Sequence, residues 1–139
     1  MSDERAQASG TFDIDSWDES EVEETAGARF SRVLAGKIYH GDIEGRTTTT
    51  LLMALTRPGP GGYVGIEHLT VTLQGRQGSF ALQHHAPIGP GDDPSAGIAS
   101  VVPDSGTDGL SGLRGELRIL IEDGGVHRWT LTYELSGQG

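Results

Sequence analysis

The sequence predicts an all-β protein, a single small antiparallel up-and-down β-barrel of about eight strands with little helix. Two observations predict this fold. Stretches with alternating apolar and polar residues, rich in Thr, Val, Ile and Leu, recur along the 139 residues. The 22 glycines and 6 prolines separate these stretches at intervals suited to hairpin turns. A two-sheet sandwich fits the same pattern, whereas a barrel of about eight strands would enclose side chains or one small ligand.

The clearest hairpin joins a strand over residues 63–73 to a strand over residues 79–85. The segment between them, Gln74-Gly75-Arg76-Gln77-Gly78, is rich in turn residues. Since alternate residues of a strand share a face, Glu67 lies on the same face as Leu69, Val71 and Leu73. That aliphatic face is predicted to point inward and to carry Glu67 with it.

The first half of the chain begins with a polar segment, residues 1–8, predicted to be a disordered tail before a single barrel domain over residues 9–136. An acidic connection over residues 18–27, with a helical turn near residues 20–24, is expected between the first two strands. Helical spacing of apolar residues is also present in the second strand, but its β-branched and aromatic content favours a strand. The strands predicted in this half span residues 9–17, 28–40 and 43–57.

In the second half of the chain, glycine- and proline-rich segments mark where the predicted strands end. Residues 86–95 and 104–115 are rich in glycine and proline and read as loops, the second with room for a helical turn near residues 110–113. The last strand alternates, with Trp129, Leu131, Tyr133 and Leu135 on one face. The strands predicted in this half span residues 96–102, 116–122 and 126–135.

The charge pattern narrows the function classes. The formal net charge is −10, and seven carboxylates lie between Asp13 and Glu24. Such a surface repels phosphate backbones and anionic membranes, so neither nucleic acid nor a membrane is an expected partner. The acidic run is interpreted as a solvated loop, with a docking surface for a basic partner as the alternative. The absence of cysteine, of a signal peptide and of a membrane-spanning apolar run predicts a cytoplasmic protein.

Several short segments, taken in order, resemble one bacterial family. They are Gly10-Thr11-Phe12, Ser16-Trp17-Asp18-Glu19, Gly41-Asp42-Ile43-Glu44-Gly45, Gly65-Ile66-Glu67, Gly78-Ser79-Phe80, Gln83-His84, Val101-Val102-Pro103, Ser105-Gly106-Thr107 and Gly112-Leu113-Arg114-Gly115. This order and spacing resembles domain of unknown function 3224, over roughly residues 9–135. The resemblance implies a small barrel with one open mouth, similar in fold to allene oxide cyclase, and implies no activity. The chain departs from the family pattern at Ala99 or Ser100, where an aromatic is usual, and at His85.

Three residues are candidates for catalysis: Glu67, His84 and Glu44. A Glu67 carboxyl inside the barrel would have a raised pKa through desolvation, which suits a general acid or base. The alternative is a structural Glu67 paired with a core base or accepting a tyrosine hydrogen bond. Alternation with Phe80 and Leu82 favours His84 as the inward residue of its pair. Glu44 follows a turn, so it lies either beside Glu67 or on the surface.

Five further residues are candidates for ligand binding in the barrel: Tyr39, Tyr63, Gln83, Trp129 and Tyr133. The aromatic ones are equally explained as core residues. No metal-binding motif and no cofactor motif is present. We therefore expect a barrel that binds a small hydrophobic molecule, and we expect a homodimer from the general prevalence of such assemblies. A cofactor-independent cyclase or isomerase of secondary metabolism is one hypothesis, and a non-catalytic binder or a self-associating structural barrel is the other.

Overall fold

Eight antiparallel strands close into a barrel in which every strand pairs with its neighbour in sequence and β8 pairs with β1. The structure, a computed structural model, describes residues 5–89, 93 and 96–135. The prediction of an all-β, eight-stranded barrel is confirmed. A short 3₁₀ helix, Asp108–Leu110, precedes β7. The strands are β1 (Ala6–Glu24), β2 (Ala28–Gly41), β3 (Ile43–Thr56), β4 (Gly61–Leu73), β5 (Arg76–Ile88), β6 (Gly97–Val101), β7 (Leu113–Glu122) and β8 (Val126–Leu135).

The β4–β5 hairpin is longer and its turn tighter than the sequence predicted. Pairing continues to Leu73 and Arg76, which leaves only Gln74 and Gly75 in the turn. Both have positive φ, 46° and 86°, which is the geometry of a type I′ turn. This turn matches the right-handed twist of the two strands, so each strand stays paired over 13 residues.

The predicted acidic loop over residues 18–27 is wrong, because β1 continues to Glu24. Its pairing with β2 runs from Gly10 to Glu24 through two bulges, and the chain reverses only over residues 25–27. The Thr25 hydroxyl accepts hydrogen bonds from the backbone N–H groups of Gly27 and Ala28, which satisfies the tight turn. At its other end β1 already begins at Ala6, so the predicted tail loses residues 6–8, and residues 1–4 lie outside the described residues.

The carboxylates of β1 line an edge of the sheet. Pairing of β1 with β8 ends at Phe12, whereas pairing with β2 continues for twelve more residues. Within the described residues, the outer edge from Asp13 onward therefore has no strand beside it. Charged side chains on such an edge prevent it from pairing with another chain. The acidic run thus has a structural reason that its sequence alone does not reveal.

The barrel interior holds two apolar clusters with a polar layer between them. The larger cluster fills the end that contains the start of β1 and the β4–β5 turn, where Leu110 of the 3₁₀ helix is fully buried. The smaller cluster fills the end that contains the β1–β2 turn. Its members are Val33, Ala35, Leu51, Met53, Tyr63 and Ile88. Between the two, adjacent strands β2 to β5 contribute buried polar residues to the interior, namely Lys37, Thr47, Thr49, Glu67 and His84.

The inward face predicted for β4 is confirmed, because Glu67, Leu69, Val71 and Leu73 are all buried. The one helical turn in the described residues, Asp108–Leu110, has three residues, and no helix there could cross a bilayer.

A substitution at Gly10 tests the closure of the barrel, because β1 is paired with both β2 and β8 at this position. A Cβ at this position would lie inside the contact distance of the His40 carbonyl oxygen and of the Trp129 ring. Gly10→Ala is expected to lower the free energy of unfolding by about 2 kcal/mol or more, measured by urea denaturation. Gly27→Ala is the control, since no atom lies within 4 Å of its Cβ position. Equal stability of the two variants would contradict this account of the barrel seam.

Candidate functional site

Glu67 is the centre of the buried polar layer. Its side chain has no exposed surface. One carboxylate oxygen, Oε1, accepts from Lys37 Nζ at 3.2 Å and from His84 Nε2 at 2.9 Å. The other, Oε2, accepts from the hydroxyls of Tyr39 and Thr47, each at 2.8 Å. A carboxylate has about four acceptor positions, so this network satisfies the group completely.

Sheet register explains why these side chains converge. Lys37 of β2 lies directly opposite Thr47 of β3, and Thr49 of β3 lies opposite Glu67 of β4. His84 of β5 is opposite Gly65, one inward position from Glu67. Residues directly opposite in an antiparallel pair are about 5 Å apart, which long side chains span easily. The four strands thus bring donors from 17 to 30 residues away onto one carboxylate.

The pKa of Glu67 shifts in the opposite direction to the one expected from desolvation alone. Burial by itself raises the pKa, but the charge of Lys37, the hydrogen bond and charge of His84, and the Thr47 hydroxyl outweigh it. The pKa is lowered to about 2. Glu67 is therefore ionised at neutral pH and a poor proton donor. Its surroundings match the alternative of a carboxylate held by a core base and a tyrosine.

The charge of Glu67 also fixes the state of its neighbours. An ionised carboxylate can only accept hydrogen bonds, so His84 Nε2 carries a proton, and in the neutral ring Nδ1 is the unprotonated nitrogen. Within the described residues Nδ1 has no hydrogen-bond partner in the network. Burial, followed by the charge and hydrogen bond of Glu67, raises the pKa of Tyr39 well above its usual value. Tyr39 is therefore a hydrogen-bond donor and not a base.

Lys37 is the residue that the sequence analysis missed. It is 3% exposed, and its ammonium lies 4.5 Å from the centroid of the Phe12 ring as well as beside Glu67. Both contacts compensate for its removal from water. The sequence contained a signal for the inward position of Lys37, because Lys37 lies in the same alternating series as Val33, Ala35 and Tyr39, all of which face inward. Reading that alternation would have placed Lys37 inside the barrel, on the same side of the sheet as Glu67.

The four aromatic candidates lie inside the barrel but in three different places. Tyr39 and Trp129 pack together at 5.8 Å between ring centroids, and Trp129 is fully buried with its Nε1 donating to the Thr11 carbonyl. Tyr63 lies in the smaller cluster and donates to the Ala96 carbonyl at 3.0 Å. Tyr133 lies at the other end, where its hydroxyl bonds to Gln74. These side chains fill the interior, so they do not form one shared binding surface.

Two of the predicted site residues are on the outside of the barrel. Glu44 is exposed because Ile43 beside it takes the inward position, and it lies in a polar groove of about 680 Å³ with His68 and Asp108. It does not join Glu67. Gln83 also faces outward, since His84 next to it faces inward, and its amide donates to the Ser100 hydroxyl at 3.3 Å. Gln83 is therefore not a residue of the lumen.

A second groove on the outer surface, the outer groove, lies over strands β3, β4 and β5 and has a volume of about 380 Å³. His84 is one of the lining residues, although its side chain points into the barrel and is 4% exposed. Most of the wall is aliphatic. The complete lining is Thr50, Leu52, Val64, Gly65, Ile66, Gln83, His84 and His85.

The described residues also bear on metal binding. Nowhere in residues 5–89, 93 and 96–135 do three His, Asp or Glu side chains group in a way that could hold a metal ion. Two buried hydroxyls, Ser31 Oγ and Thr49 Oγ1, have no hydrogen-bond partner there. Thr49 is opposite Glu67 in register, yet the carboxylate is already satisfied by its four donors.

Comparison with known proteins gives a family and no activity. Residues 8–133 match the family model described as protein of unknown function DUF3224. The chain is similar to a crystal structure from Shewanella oneidensis MR-1, described as a protein with unknown function from the DUF3224 family. The two are 30% identical with a TM-score of 0.76, and the match covers 96% of this chain and 99% of that chain. No curated protein matches.

Glu67→Gln tests the ion pair. It leaves Lys37 buried without its counter-charge, so we expect the free energy of unfolding to fall by about 3–5 kcal/mol. Because folding lowers the pKa of Glu67 to about 2, the stability due to its ionisation is present above pH 4.5 and is lost as pH falls from about 4.5 to 2. Glu67→Gln should lack this acid-dependent loss, measured by denaturation between pH 2 and 7. Glu44→Gln, a change at the surface, is the control, and an unchanged acid dependence in Glu67→Gln would contradict the assignment.

Proposed function

The chain belongs to the DUF3224 family, and because that family has no assigned activity we propose a function from the geometry of the site: binding of a small, mostly apolar molecule in the outer groove. One observation carries the proposal. The groove combines an aliphatic wall with a few polar side chains, Gln83 and His85 on β5 and Thr50 on β3. Sites for small molecules generally have this composition, and a volume of about 380 Å³ falls in their usual range.

The barrel interior is a weaker candidate for the same function. Its described apolar side chains are at most 7% exposed, and a fully buried ion pair and its hydrogen bonds lie across the middle. A ligand could enter only by displacing well-packed side chains, which costs several kcal/mol. The outer groove requires no such displacement. This argument favours a site on the outer surface of β3 to β5, whereas the sequence had favoured the lumen.

The charge of the protein indicates which molecules fit. With a net charge of −10, the protein repels anions from most of its surface. The residues of the outer groove include no carboxylate and no lysine or arginine, so they offer no counter-charge to an anion. A neutral apolar molecule with one hydrogen-bonding group is the class that the groove suits best. Its apolar part would contact Leu52, Val64 and Ile66, and its polar group would lie near Gln83 and His85.

Acid–base isomerisation is the second candidate, and a specific observation favours it. His84 is among the residues that line the outer groove, and its Nε2 donates to the ionised Glu67, although its side chain points into the barrel and is 4% exposed. If the ring turned toward the groove, Nδ1 of His84 could take a proton from one carbon of a bound molecule and return it to another. No electron or atom is exchanged with a cofactor in such a step. Glu67 would act as a positioning residue, since its own oxygens are occupied.

Cyclisation, as in the barrel of allene oxide cyclase, has less support in this geometry. A cyclase of that kind folds its substrate by confinement, and confinement requires an enclosed cavity. The outer groove of a single chain is open on one side. We therefore place binding first and proton transfer second.

Ile66→Ser tests binding in the outer groove. Ile66 is 52% exposed, so the change spares the core but removes aliphatic wall. We expect the affinity for N-phenyl-1-naphthylamine, a neutral apolar fluorophore, to fall about five- to tenfold, through the loss of about 1–1.4 kcal/mol of apolar contact. Leu120→Ser on β7 is the matched control, because Leu120 is 67% exposed and outside the groove. Equal affinity of the two variants would contradict the proposed site.

The acid–base candidate has its own test. If the His84 ring turns toward a bound molecule, addition of the same fluorophore should shift the NMR signals of that ring. The His40 ring, which is exposed and bonded to Asp13, serves as the reference that stays constant. If the fluorophore binds and the His84 signals do not move, proton transfer by His84 is contradicted while binding stands.

A further inference from the structure

Five large apolar side chains form an exposed patch, which we call the apolar face. They lie on the outward sides of β2, β3 and β4. Leu34 and Ile66 flank Thr50 in one row across the sheet, and Leu52 lies opposite Val64 in the next. The members of the apolar face are Phe30, Leu34, Leu52, Val64 and Ile66, and their exposed fractions are 36%, 50%, 53%, 54% and 52%.

The size of the apolar face indicates an interaction surface. Half of each of these side chains amounts to about 400 Å² of apolar surface, which is the size of the largest apolar patch on a typical soluble protein, and such patches are often functional. A specific protein interface buries about 800 Å² on each partner, with an apolar centre and a polar rim. The apolar face has the right extent for such a centre. Thr50 and Arg32 lie among its members, Thr50 between Leu34 and Ile66 and Arg32 opposite Leu52, whereas Gln83 lies beside Ile66 and would belong to the rim.

Charge selects the occupant of the apolar face. The outward residues of β3, β4 and β5 over residues 48–54, 62–68 and 81–85 include no Asp or Glu, although the whole chain carries 20 of them. A basic partner would be attracted to the carboxylates on the edge of β1 rather than to this surface, where the charged side chain among the members is Arg32. Two copies of an acidic chain repel each other less through surfaces that lack carboxylates. A second copy offers the same apolar surface, which suits an isologous two-fold contact.

We propose that two copies of this chain pack through the apolar face and that the second copy closes the outer groove. Leu52, Val64 and Ile66 belong to both features, so covering the apolar face also covers the groove. Small-molecule sites usually enclose most of the ligand surface, which the open groove of one copy does not do. The first part of the inference stands by itself, and the second part rests on the proposed function. The dimer turns two open grooves into one enclosed site.

Leu34 separates the two parts, because it belongs to the apolar face and is not part of the groove lining. Leu34→Glu places a carboxylate in the contact between two copies. In sedimentation equilibrium at about 100 µM, we expect the wild-type protein to have twice the 14.7 kDa mass of one chain. We expect the dimer dissociation constant of Leu34→Glu to be at least about 100-fold higher. Leu120→Glu is the control for added charge, and Leu34→Ala is the milder variant if Leu34→Glu does not fold. Raising the salt concentration should strengthen the wild-type dimer by screening the charge of both copies.

The same variants are then titrated with N-phenyl-1-naphthylamine. A monomeric Leu34→Glu that binds about tenfold more weakly, beside an unchanged Leu120→Glu, supports both parts of the inference. A monomeric Leu34→Glu that binds as tightly as wild type overturns the closure of the groove and leaves the dimer. If the wild-type protein is a monomer, or if Leu34→Glu stays dimeric, the proposed contact through the apolar face is overturned. In that last case the Ile66→Ser measurement still decides the proposed function, so the two failures are distinguishable.

Discussion

The ion pair between Glu67 and Lys37 is the interaction on which the barrel interior depends. Each charge alone would be too costly to bury, and removal of one partner leaves the other uncompensated. Together, and with hydroxyls of Tyr39 and Thr47 completing the carboxylate, they form a satisfied network. Such a network contributes less to net stability than an apolar core of equal size. What it does is fix the register of β2, β3 and β4, because a shift by one residue would move Glu67 and Lys37 out of reach.

The polar layer also decides what the barrel can bind. It lies across the middle of the interior and separates a large apolar cluster from a small one. An uninterrupted lumen, as a carrier of hydrophobic molecules would need, is therefore replaced by a filled one. His84 belongs to both regions of the sheet, since its buried side chain bonds to Glu67 and the residue is among those that line the outer groove. Function is thus expected on the outside of the sheet, with the interior acting as its electrostatic support.

Charge is distributed over the surface in a way that separates two tasks. The edge of β1 carries carboxylates and has no neighbouring strand in the described residues beyond Phe12, so repulsion keeps it from pairing with other chains. The outward sides of β3 to β5 over residues 48–54, 62–68 and 81–85 have no carboxylate and carry aliphatic side chains about half exposed. One side of the protein therefore opposes pairing with other chains, and the other is the side through which we propose that two copies pack. A uniform spread of the same net charge would do neither.

Alternation within single strands determined much of this protein from its sequence. It predicted the barrel, the inward face of β4 with Glu67, and the inward position of His84, because burial of one face imposes a period of two on each strand. The partners of Glu67 depended on register between strands, which alternation in one strand does not contain. Lys37 and Thr47 meet Glu67 only after two hairpins are paired, β2 with β3 and β3 with β4, and that meeting helps to lower the pKa that burial alone would raise. The extent of β1 and the apolar face likewise needed the closed barrel, because the tertiary structure decides which edge stays unpaired and which surface stays exposed.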